Sequence, residues 1–239
     1  MINEPRFFLA NEQGFKGTFL DELLAAGYYR MQHMIFTTNQ TSVNQQSETL
    51  PVFWLRTHIH QINESKTARA IRKKCAAFTV EIKLACITPS INELFEKYYQ
   101  HINFNPGQTC SEYLHDALLP NPFDSWMFEI KDGETLVAVG YFDLGKNSMA
   151  GILNFYHPAY KNYSLGKYLI LKKIDYALQH NVRLYYSGYL STAITKFDYK
   201  LFPDKAAMQV YLPLQKIWLP FLQMDKIKLE AYYNNYLKK

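Results

Sequence analysis

The stretch from Tyr160 to His180, YKNYSLGKYLILKKIDYALQH, joins a single glycine to the start of an amphipathic pattern. It follows a strand-like run, GILNFYH, so the pattern predicts a strand, a glycine turn and then a helix. Such a turn presents unpaired backbone N–H groups at the positive end of a helix, which suits a phosphate, a carboxylate or a carbonyl oxygen. We expect Ser164 to cap the helix, and the amides of Ser164, Leu165 and Gly166 to hold such a group.

The helix after the turn is defined by apolar residues at three- and four-residue spacing. They are Leu165, Leu169, Ile170, Ile174, Ala177 and Leu178. The next strand-like run, VRLYYSGYL, completes a strand-helix-strand unit, and in N-acetyltransferase-type folds such a turn holds the pyrophosphate of coenzyme A. That use needs small residues at two positions, whereas here Gly166 alone is small and Tyr168 places a ring at the second position. The pattern disfavours ordinary acetyl-coenzyme A but allows the same fold with another donor.

The composition indicates a globular protein with a packed interior. Of the 239 residues, 48% are hydrophobic and 16% aromatic, which excludes wholesale disorder. The net charge of +5 and the pI near 8.9 suit a polyanionic partner but also fit ordinary solubility. Cys75, Cys86 and Cys110 fit neither a disulfide framework nor a zinc site, so we expect reduced thiols and no bound metal. The chain shows no signal-like start and no membrane-length apolar run, so we expect a cytoplasmic protein without membrane contact.

Shorter patterns predict the remaining elements of an α/β (α+β) fold. They are a helix over residues 18–30 ended by Gly27, a polar loop over 37–49, a strand at LPVFWLRTHI, a helix starting near Ser65, two helices over 90–119, two strands around an Asp132-Gly133 turn and a helix in the tail from LPLQKIWLPF. We expect a boundary near residue 88. It would separate a smaller N-terminal α/β domain, residues 1–88, from a larger one, residues 89–239.

One short predicted helix carries a concentrated positive charge. In SKTARAIRKKCAAF, the residues Ala68, Ile71, Cys75 and Phe78 share one face, and no acidic residue interrupts the remainder. The basic residues of this helix are Lys66, Arg69, Arg72, Lys73 and Lys74. Taken alone, a basic helix is more often a solvated face than a polyanion site.

Four stretches, in order along the chain, match the motifs of one protein family. LLAAGYYRMQ matches a Gly-Tyr-Arg-Arg element and keeps Gly27 and Arg30, SKTARAIRKKC matches a basic helix, and LFEKYYQHINF with SEYLHD matches a Tyr- and His-bearing helix and the helix after it. The longest match runs from VAVGYFDLG through GILNFYHPAYKNYSLGKYLILKKIDYAL to RLYYSGYLSTAITKFDYKLFPDK. Over about residues 18–215, the chain thus resembles the arginyl-tRNA–protein transferases and the related bacterial leucyl-tRNA–protein transferases.

The resemblance implies both a fold and an activity. The family's C-terminal domain is N-acetyltransferase-like, with a mixed sheet flanked by helices. Its members move an amino acid, arginine or leucine, from aminoacyl-tRNA to the N-terminus of a protein and thereby mark that protein for degradation. The aminoacyl ester is already activated, so transfer needs alignment, a neutral amine and stabilisation of the oxyanion. We therefore expect no cofactor besides the aminoacyl-tRNA co-substrate, and an acceptor N-terminus of acidic character.

The resemblance also implies roles for individual residues. In catalysis we expect His157 to relay a proton and Tyr186 and Tyr189 to line the acceptor cleft. The residues expected to hold the donor are Tyr156, Ser164, Leu165, Gly166, Lys196, Tyr199 and Lys200, of which the last three could instead hold an acidic acceptor side chain. The residues expected to bind tRNA are Arg30, Lys66, Arg69, Arg72, Lys73 and Lys74. It is equally open that Tyr186 is a core residue and that His157 is a loop histidine with satisfied hydrogen bonds.

Several departures mark the chain as a divergent relative. The family places a cysteine cluster where MIFTTNQTSVNQQSETLPVFWLR has none, so no metal or iron–sulfur centre is expected there. Residues 156–158 read Tyr-His-Pro instead of Tyr-Asp-Pro, residues 185–189 read Tyr-Tyr-Ser-Gly-Tyr instead of Tyr-Tyr-Leu-Gly-Tyr, and Ala70 replaces an arginine. Two other functions therefore stay open: an N-acyltransferase that uses acyl-coenzyme A, and a non-catalytic protein that binds tRNA or N-terminal peptides.

Overall fold

The structure is a computed structural model that describes residues 6–9, 14–42, 49–102, 109–114 and 120–238. Its strands are β1 (Arg6–Leu9), β2 (Tyr29–Met31), β3 (Met34–Thr37), β4 (Gln40–Ser42), β5 (Thr49–His58), β6 (Thr79–Leu84), β7 (Ser125–Asp132), β8 (Thr135–Leu144), β9 (Ser148–Tyr156), β10 (Leu184–Ser191), β11 (Met208–Leu212) and β12 (Ile217–Pro220). Its α-helices are α1 (Gly17–Ala25), α2 (Lys66–Lys74), α3 (Pro89–Tyr99), α4 (Leu165–Gln179) and α5 (Lys226–Tyr232).

A nine-stranded sheet forms the centre of the molecule. Its order is β12-β11-β5-β10-β9-β8-β7-β6, with β4 paired to β5 outside this path. Strands β9 and β10 run parallel, and the other neighbouring strands run antiparallel. A smaller sheet has the order β1-β3-β2. The predicted α/β class, with a mixed sheet flanked by helices, is confirmed.

Helices cover both faces of the large sheet because neighbouring residues of its strands point to opposite sides. In β7, Met127 packs in the core cluster that contains Ile91 of α3, while Phe128 packs in the cluster that contains Leu169 of α4. Helix α2 joins α4 on its face through Ile71 and its neighbours. The functional part of the sheet is therefore held between α3 and α4. No helix of the described residues is long and apolar enough to cross a membrane.

Most of the predicted elements are confirmed by local chemistry. Helix α1 is followed by Gly27 at φ +82°, the left-handed conformation that glycine adopts cheaply at a helix end. The Ser65 side chain accepts a hydrogen bond from the Ala68 N–H and so caps α2. Gly133, at φ +56°, lies in the turn between β7 and β8. The strand, turn and helix order around residue 164 is also as predicted.

Two predicted elements differ from the structure. The run LPLQKIWLPF was predicted as a helix, but it forms the hairpin of β11 and β12, and the helix comes later as α5. The aromatic ring of Trp218 explains this, because it packs against Tyr211 at 5.1 Å between centroids, across the strand pair. Within the predicted loop over 37–49, residues 40–42 form β4, while 43–48 lie outside the described residues. Of the predicted helix over 110–119, residues 110–114 form turns and bends, and 115–119 lie outside the described part.

The predicted boundary near residue 88 does not coincide with a break in the sheet. Strand β5 precedes it in sequence, yet β5 pairs with β10 and β11, which follow it. Strand β6 likewise extends the sheet by pairing with β7. The division into two domains stays a prediction, and both segments contribute strands to one sheet.

Candidate active site

The two parallel strands β9 and β10 separate part-way along the sheet. They pair only where residues 184–186 face residues 148–150. Beyond these residues β9 continues along β8, whereas a bulge between Tyr186 and Gly188 keeps β10 on β5. We call the opening between residues 151–156 of β9 and residues 187–191 of β10 the strand fork. The strand fork exposes backbone and side chains that the sheet would otherwise cover.

Tyr29 of β2 lies where the two strands part. Its hydroxyl contacts the carbonyl oxygen of Gly151 on β9 and lies 3.2 Å from that of Tyr186 on β10. Its ring stacks on Trp54 of β5 with 5.1 Å between centroids. Burial, with a smaller contribution from Tyr185, raises the pKa of the Tyr29 phenol well above its ordinary value. The phenol therefore keeps its proton and holds the base of the strand fork by hydrogen bonding.

Gly188 produces the bend of β10 that opens the strand fork. Its φ of +90° is strained for residues with a Cβ, and glycine at a bulge avoids that strain. A Cβ at this position would lie 3.1 Å from Nζ of Lys200 and 3.9 Å from Cζ of Tyr29. The glycine thus lets the β10 backbone approach a lysine and a tyrosine at once.

Lys200 reaches the strand fork from the 3-10 helix Thr195–Leu201. Its Nζ donates a hydrogen bond to the carbonyl oxygen of Tyr189 at 2.9 Å and lies 4.8 Å from the ring centroids of Tyr189 and Phe197. Burial, and then the charge of Lys196, lowers the pKa of Lys200 to about 7. None of the ion pairs among the described residues includes Lys200. Burial also lowers the pKa of Lys196.

Phenol rings join the two arms of the strand fork. The ring centroids of Tyr98 on α3 and Tyr156 at the end of β9 are 5.7 Å apart. Burial raises the pKa of Tyr98 to about 12. Burial raises the pKa of Tyr199 as well, and the nearby phenols of Tyr98 and Tyr189 add to that effect. Tyr189 packs edge-on against Trp54 at 5.3 Å. The structure therefore brings together four of the predicted residues, Tyr156, Tyr189, Tyr199 and Lys200.

The glycine turn has the predicted place but not the predicted cap. Ser164 adopts the left-handed conformation, φ 56° and ψ 43°, and its side chain makes no capping hydrogen bond. The reason is that the preceding residues already form a 3-10 helix, Pro158–Tyr163, so the chain must reverse sharply at Ser164. The backbone N–H groups of Leu165 and Gly166 have no hydrogen-bond acceptor among the described residues. Leu165 is fully buried, so its N–H is enclosed, and the half-buried Gly166 carries the N–H that could hold an anion or a carbonyl oxygen.

The ring of Tyr156, and not that of Tyr168, lies beside the glycine turn. A Cβ on Gly166 would lie 3.6 Å from Cε1 of the Tyr156 ring, which is ordinary van der Waals contact. Tyr168 was expected to obstruct the turn, but its ring is buried in the core under α2, and this burial raises the pKa of its phenol. The expected obstruction by Tyr168 is therefore wrong, because helix packing turns that ring toward α2.

His157 is half-buried beside the turn. Its Nδ1 accepts a hydrogen bond from the Ala159 N–H at 3.2 Å, and its ring packs edge-on against Tyr160 at 5.9 Å. With Nδ1 accepting, the neutral imidazole carries its proton on Nε2. The ring can therefore donate a hydrogen bond from Nε2, and the predicted proton relay stays a prediction.

Tyr186 does not reach an open surface. Its side chain is 2% exposed, its ring packs edge-on against Trp218 at 5.7 Å, and the Arg56 side chain meets its hydroxyl. Tyr186 points to the opposite face of β10 from Tyr185, which lies in the core under α4. The prediction that Tyr186 lines the acceptor cleft is corrected here, because its ring is part of the core.

The basic helix α2 abuts the turn. Lys74 donates from Nζ to the carbonyl oxygen of Asn162 at 2.7 Å and lies 5.6 Å from the Tyr163 ring centroid. The exposed basic residues of α2 are Lys66, Arg69, Lys73 and Lys74. Their positive charge therefore continues from α2 to the start of α4.

Arg72 differs from the other basic residues of α2. Its guanidinium bonds both carboxylate oxygens of Asp175 on α4, at 2.6 and 2.7 Å, and Oε1 of Glu64 at 2.6 Å. These hydrogen bonds, that to Asp175 first, raise its pKa. Two carboxylates already compensate this charge, so the structure gives Arg72 the role of tying α2 to α4 rather than of contacting tRNA.

Arg30 is enclosed in the protein. Its Nη1 forms an ion pair with Asp143 at 2.7 Å, with both side chains 1% exposed. Further bonds go to Ser125 Oγ at 2.8 Å and to the carbonyl oxygen of Leu114, and the guanidinium lies 4.3 Å from the Phe123 ring centroid. The prediction that Arg30 binds tRNA is wrong, because a guanidinium saturated inside the fold cannot reach a phosphate.

Two residues beside the strand fork were missing from the predicted site, Tyr29 and Tyr98. Both had a signal, since Tyr29 lies in the LLAAGYYRMQ motif and Tyr98 in LFEKYYQHINF. The hydroxyl of Tyr185 would lie 2.3 Å from a Cβ on Gly151, so its position depends on the absence of a side chain there. Among the described residues, no group of three or more His, Cys, Asp or Glu side chains could hold a metal ion.

Comparison with known proteins identifies the matched region. Residues 90–205, which contain both arms of the strand fork, match the family described as "Arginine-tRNA-protein transferase, C terminus". Arginyl-tRNA–protein transferase 1 of Arabidopsis thaliana is 23% identical over 185 residues, 68% of this chain and 28% of that protein. An aspartate/glutamate leucyltransferase of Pseudomonas putida is 27% identical over 138 residues, 57% of this chain and 59% of that protein.

The chain is also similar to a second leucyltransferase and to a solved structure. An aspartate/glutamate leucyltransferase of Aeromonas salmonicida is 24% identical over 218 residues, which cover 87% of this chain and 80% of that protein. Among solved structures, a GCN5-related N-acetyltransferase of Kribbella flavida superposes with a TM-score of 0.37 at 10% identity, over 62% of this chain and 49% of the other. The chain spans less than two thirds of the length of the Arabidopsis and Pseudomonas relatives. Over residues 90–205, the chain is therefore similar to the C-terminal part of the arginine-tRNA–protein transferases.

Proposed function

We propose that this protein transfers an aminoacyl group from aminoacyl-tRNA to the N-terminal amine of an acceptor protein. The observation that supports this most is the position of the strand fork inside the family match, next to a helix start with unpaired amides. The relatives are named for arginyl and leucyl transfer, so arginine and leucine are the proposed donor residues. The aminoacyl-tRNA is the proposed co-substrate, and no further cofactor is required by an already activated ester.

The donor would be held at the turn before α4. Its carbonyl or 3′-terminal phosphate would accept a hydrogen bond from the amide of Gly166, at the positive end of a fifteen-residue helix. The Tyr156 ring, which already lies beside Gly166, would pack against the terminal base or the aminoacyl group. As the tetrahedral oxyanion forms, the same amide would stabilise it, which is where transfer gains most.

The acceptor would enter the strand fork beside Tyr189. Lys196 and Tyr199 stand on the 3-10 helix at its edge, and a cation there favours an acidic first residue. Two of the relatives are named for aspartate and glutamate, which agrees with this charge. His157 would donate a hydrogen bond from Nε2 to the 3′-oxygen and so position it as it departs, which its Nδ1 hydrogen bond permits.

The tRNA body would lie over α2. Its four exposed cations, Lys66, Arg69, Lys73 and Lys74, border the turn that receives the 3′ end. Phosphate contacts of this kind release counterions and make affinity depend steeply on salt. Charged tRNA is a cytoplasmic reagent, so we place the activity in the cytoplasm.

The test is transfer of label from aminoacyl-tRNA to peptide. Radiolabelled aminoacyl-tRNAs are supplied one at a time with peptides that differ only in their first residue. We expect labelled peptide with arginyl- or leucyl-tRNA and an Asp or Glu start, and little label when that residue is acetylated. Absence of label with every aminoacyl-tRNA would refute the proposal. Stabilisation of the protein by acyl-coenzyme A would then favour an N-acyltransferase, and tRNA binding without transfer would favour a non-catalytic relative.

A further inference from the structure

Lys200 is placed as a reactive amine rather than as a surface charge. It approaches the strand fork from the side of β10, with Nζ 3.1 Å from where a Cβ of Gly188 would lie. We propose that Lys200 takes the proton from the α-ammonium group of the acceptor and so generates the attacking amine. This role rests on the transferase function proposed for the same site.

The surroundings of Nζ favour a neutral lysine. One hydrogen bond, to the carbonyl oxygen of Tyr189, accounts for a single N–H, and the rings of Tyr189 and Phe197 flank the nitrogen. A neutral amine can donate this bond and still offer its lone pair to an ammonium group. An ammonium in the same place, flanked by two rings, would lose part of its hydration without gaining a carboxylate.

The neighbouring charge that changes the pKa of Lys200 is another cation. Lys196, on the same 3-10 helix, lowers its pKa by like-charge repulsion. Burial raises the pKa of Tyr29 and Tyr199, so both phenols are uncharged near neutral pH. Asp198 could have compensated a cation here, but it forms an ion pair with Lys226 at 2.5 Å.

The proton balance of the reaction fits this assignment. The α-ammonium gives one proton to Nζ of Lys200, and the resulting amine forms a bond to the ester carbonyl carbon. When the bond between that carbon and the 3′-oxygen breaks, the second proton of the nitrogen passes to the leaving 3′-oxygen. Lys200 then returns its proton to solvent, and the products are an amide and deacylated tRNA.

The proton affinities are matched as well. An α-ammonium group has a pKa of about 7.7–8.0, and an ordinary lysine has one of about 10.4, so an ordinary lysine would not take its proton at neutral pH. Lys200, with a pKa near 7, is mostly neutral at pH 7.5. His157 is less suited to this step, because its Nδ1 is occupied by the Ala159 N–H.

The first experiment measures kcat/KM for the acceptor peptide from pH 6 to 9. With wild-type protein we expect an inflection near pH 7, set by Lys200. Lys200→Arg keeps a cation that never becomes neutral, and Lys200→Met removes the amine, so for both we expect the inflection at the acceptor's own pKa of about 8. The activity loss should then be about sevenfold larger at pH 6.5 than at pH 9, from those two pKa values. Lys205→Arg, at an exposed position outside the strand fork, is the matched control and should follow the wild type.

The second experiment follows the lysine itself and does not depend on activity. Lysines carrying a ¹³C label next to Nζ are titrated by NMR in the full-length protein, and the Lys200 signal is assigned by its absence in Lys200→Arg. A midpoint near 7 supports the proposal, whereas a midpoint above 9 overturns it. Unchanged inflections in both variants, with transfer intact, would also overturn it and leave the transferase function standing. A wild-type protein that transfers no amino acid would refute the function, and with it this role.

Discussion

Lys173 is a fully buried lysine, and its protonation state in the folded protein can be tested through the pH dependence of stability. It lies on α4 with 0% exposure, and its Nζ donates to the carbonyl oxygen of Tyr141 and to Oδ1 of Asn154, both at 2.7 Å. Burial lowers its pKa to about 7, against a smaller opposite effect of Asp143. We predict that replacing Lys173 by Met changes the pH dependence of stability, and not only its value at one pH.

The sign and the size follow from the difference between folded and unfolded protein. An unfolded lysine titrates near 10.4, so between pH 7 and 10 the folded protein binds fewer protons and the free energy of unfolding rises with pH. The stability contributed by this group is therefore complete above the unfolded pKa and is lost as pH falls through 7. From pH 7 to 8.5, one such lysine contributes a rise of about 1.5 kcal/mol. Lys200 adds a smaller rise, because part of its side chain is exposed.

The assay is urea unfolding at pH 7, 7.5, 8 and 8.5 for wild type, Lys173→Met and Lys205→Met. Burial raises the pKa of Cys75 to about 11 and that of Cys110 to about 12, so these thiols ionise first in the unfolded chain and lower stability toward pH 8.5 by the same amount in all three proteins. We expect Lys173→Met to lose about 1.5 kcal/mol of the rise across this range, while the exposed Lys205 variant keeps it. If the slope of stability against pH is the same in all three proteins, Lys173 is charged in the folded state and the argument from burial fails.

Three further predictions concern the ion pair, the basic helix and the bulge. Asp143→Asn leaves the Arg30 guanidinium buried and unpaired, and should lower the free energy of unfolding in urea by about 3–5 kcal/mol. The double variant Arg30→Met with Asp143→Leu should recover most of that loss, and equal losses in the two variants would contradict this. Changing Lys66 and Lys73 to Ala should weaken tRNA binding in fluorescence titrations and reduce the slope of log affinity against log salt by about 1.4–1.8, with an unchanged melting temperature; an unchanged slope would remove α2 from the tRNA site. Gly188→Ala should lower stability by about 1–2 kcal/mol through backbone strain and abolish transfer, and a fully active variant would show that the bend is not needed.

Regular patterns made most of the fold predictable from the sequence. Helix α4, the strand β10 and the hairpin turn at Gly133 depend on periodicity and on local backbone chemistry, which a single sequence displays. The position of the glycine turn between β9 and α4 was predictable for the same reason. The motif order that indicated the transferase family agrees with the match of residues 90–205.

The errors arose where a distant partner decides the role of a residue. Nothing near Arg30 in sequence shows that Asp143 and Ser125 will enclose it, and Arg72 looks like its neighbours until Asp175 is placed beside it. The burial of Tyr186 likewise depends on which way β10 turns at its bulge. These are long-range electrostatic and packing facts, and spacing along a chain does not encode them directly.

The place of β5 in the sheet affects how this chain can be made. Its residues find their partners in β10, where Leu184 faces His58, and in β11, where Val210 faces Leu55. On the ribosome, β5 emerges well before β10 and β11, and until they follow only its first residues can pair, with β4. The nascent chain thus carries a largely unmatched, strongly apolar segment over that interval, which calls for a chaperone or a holding contact until β10 and β11 arrive.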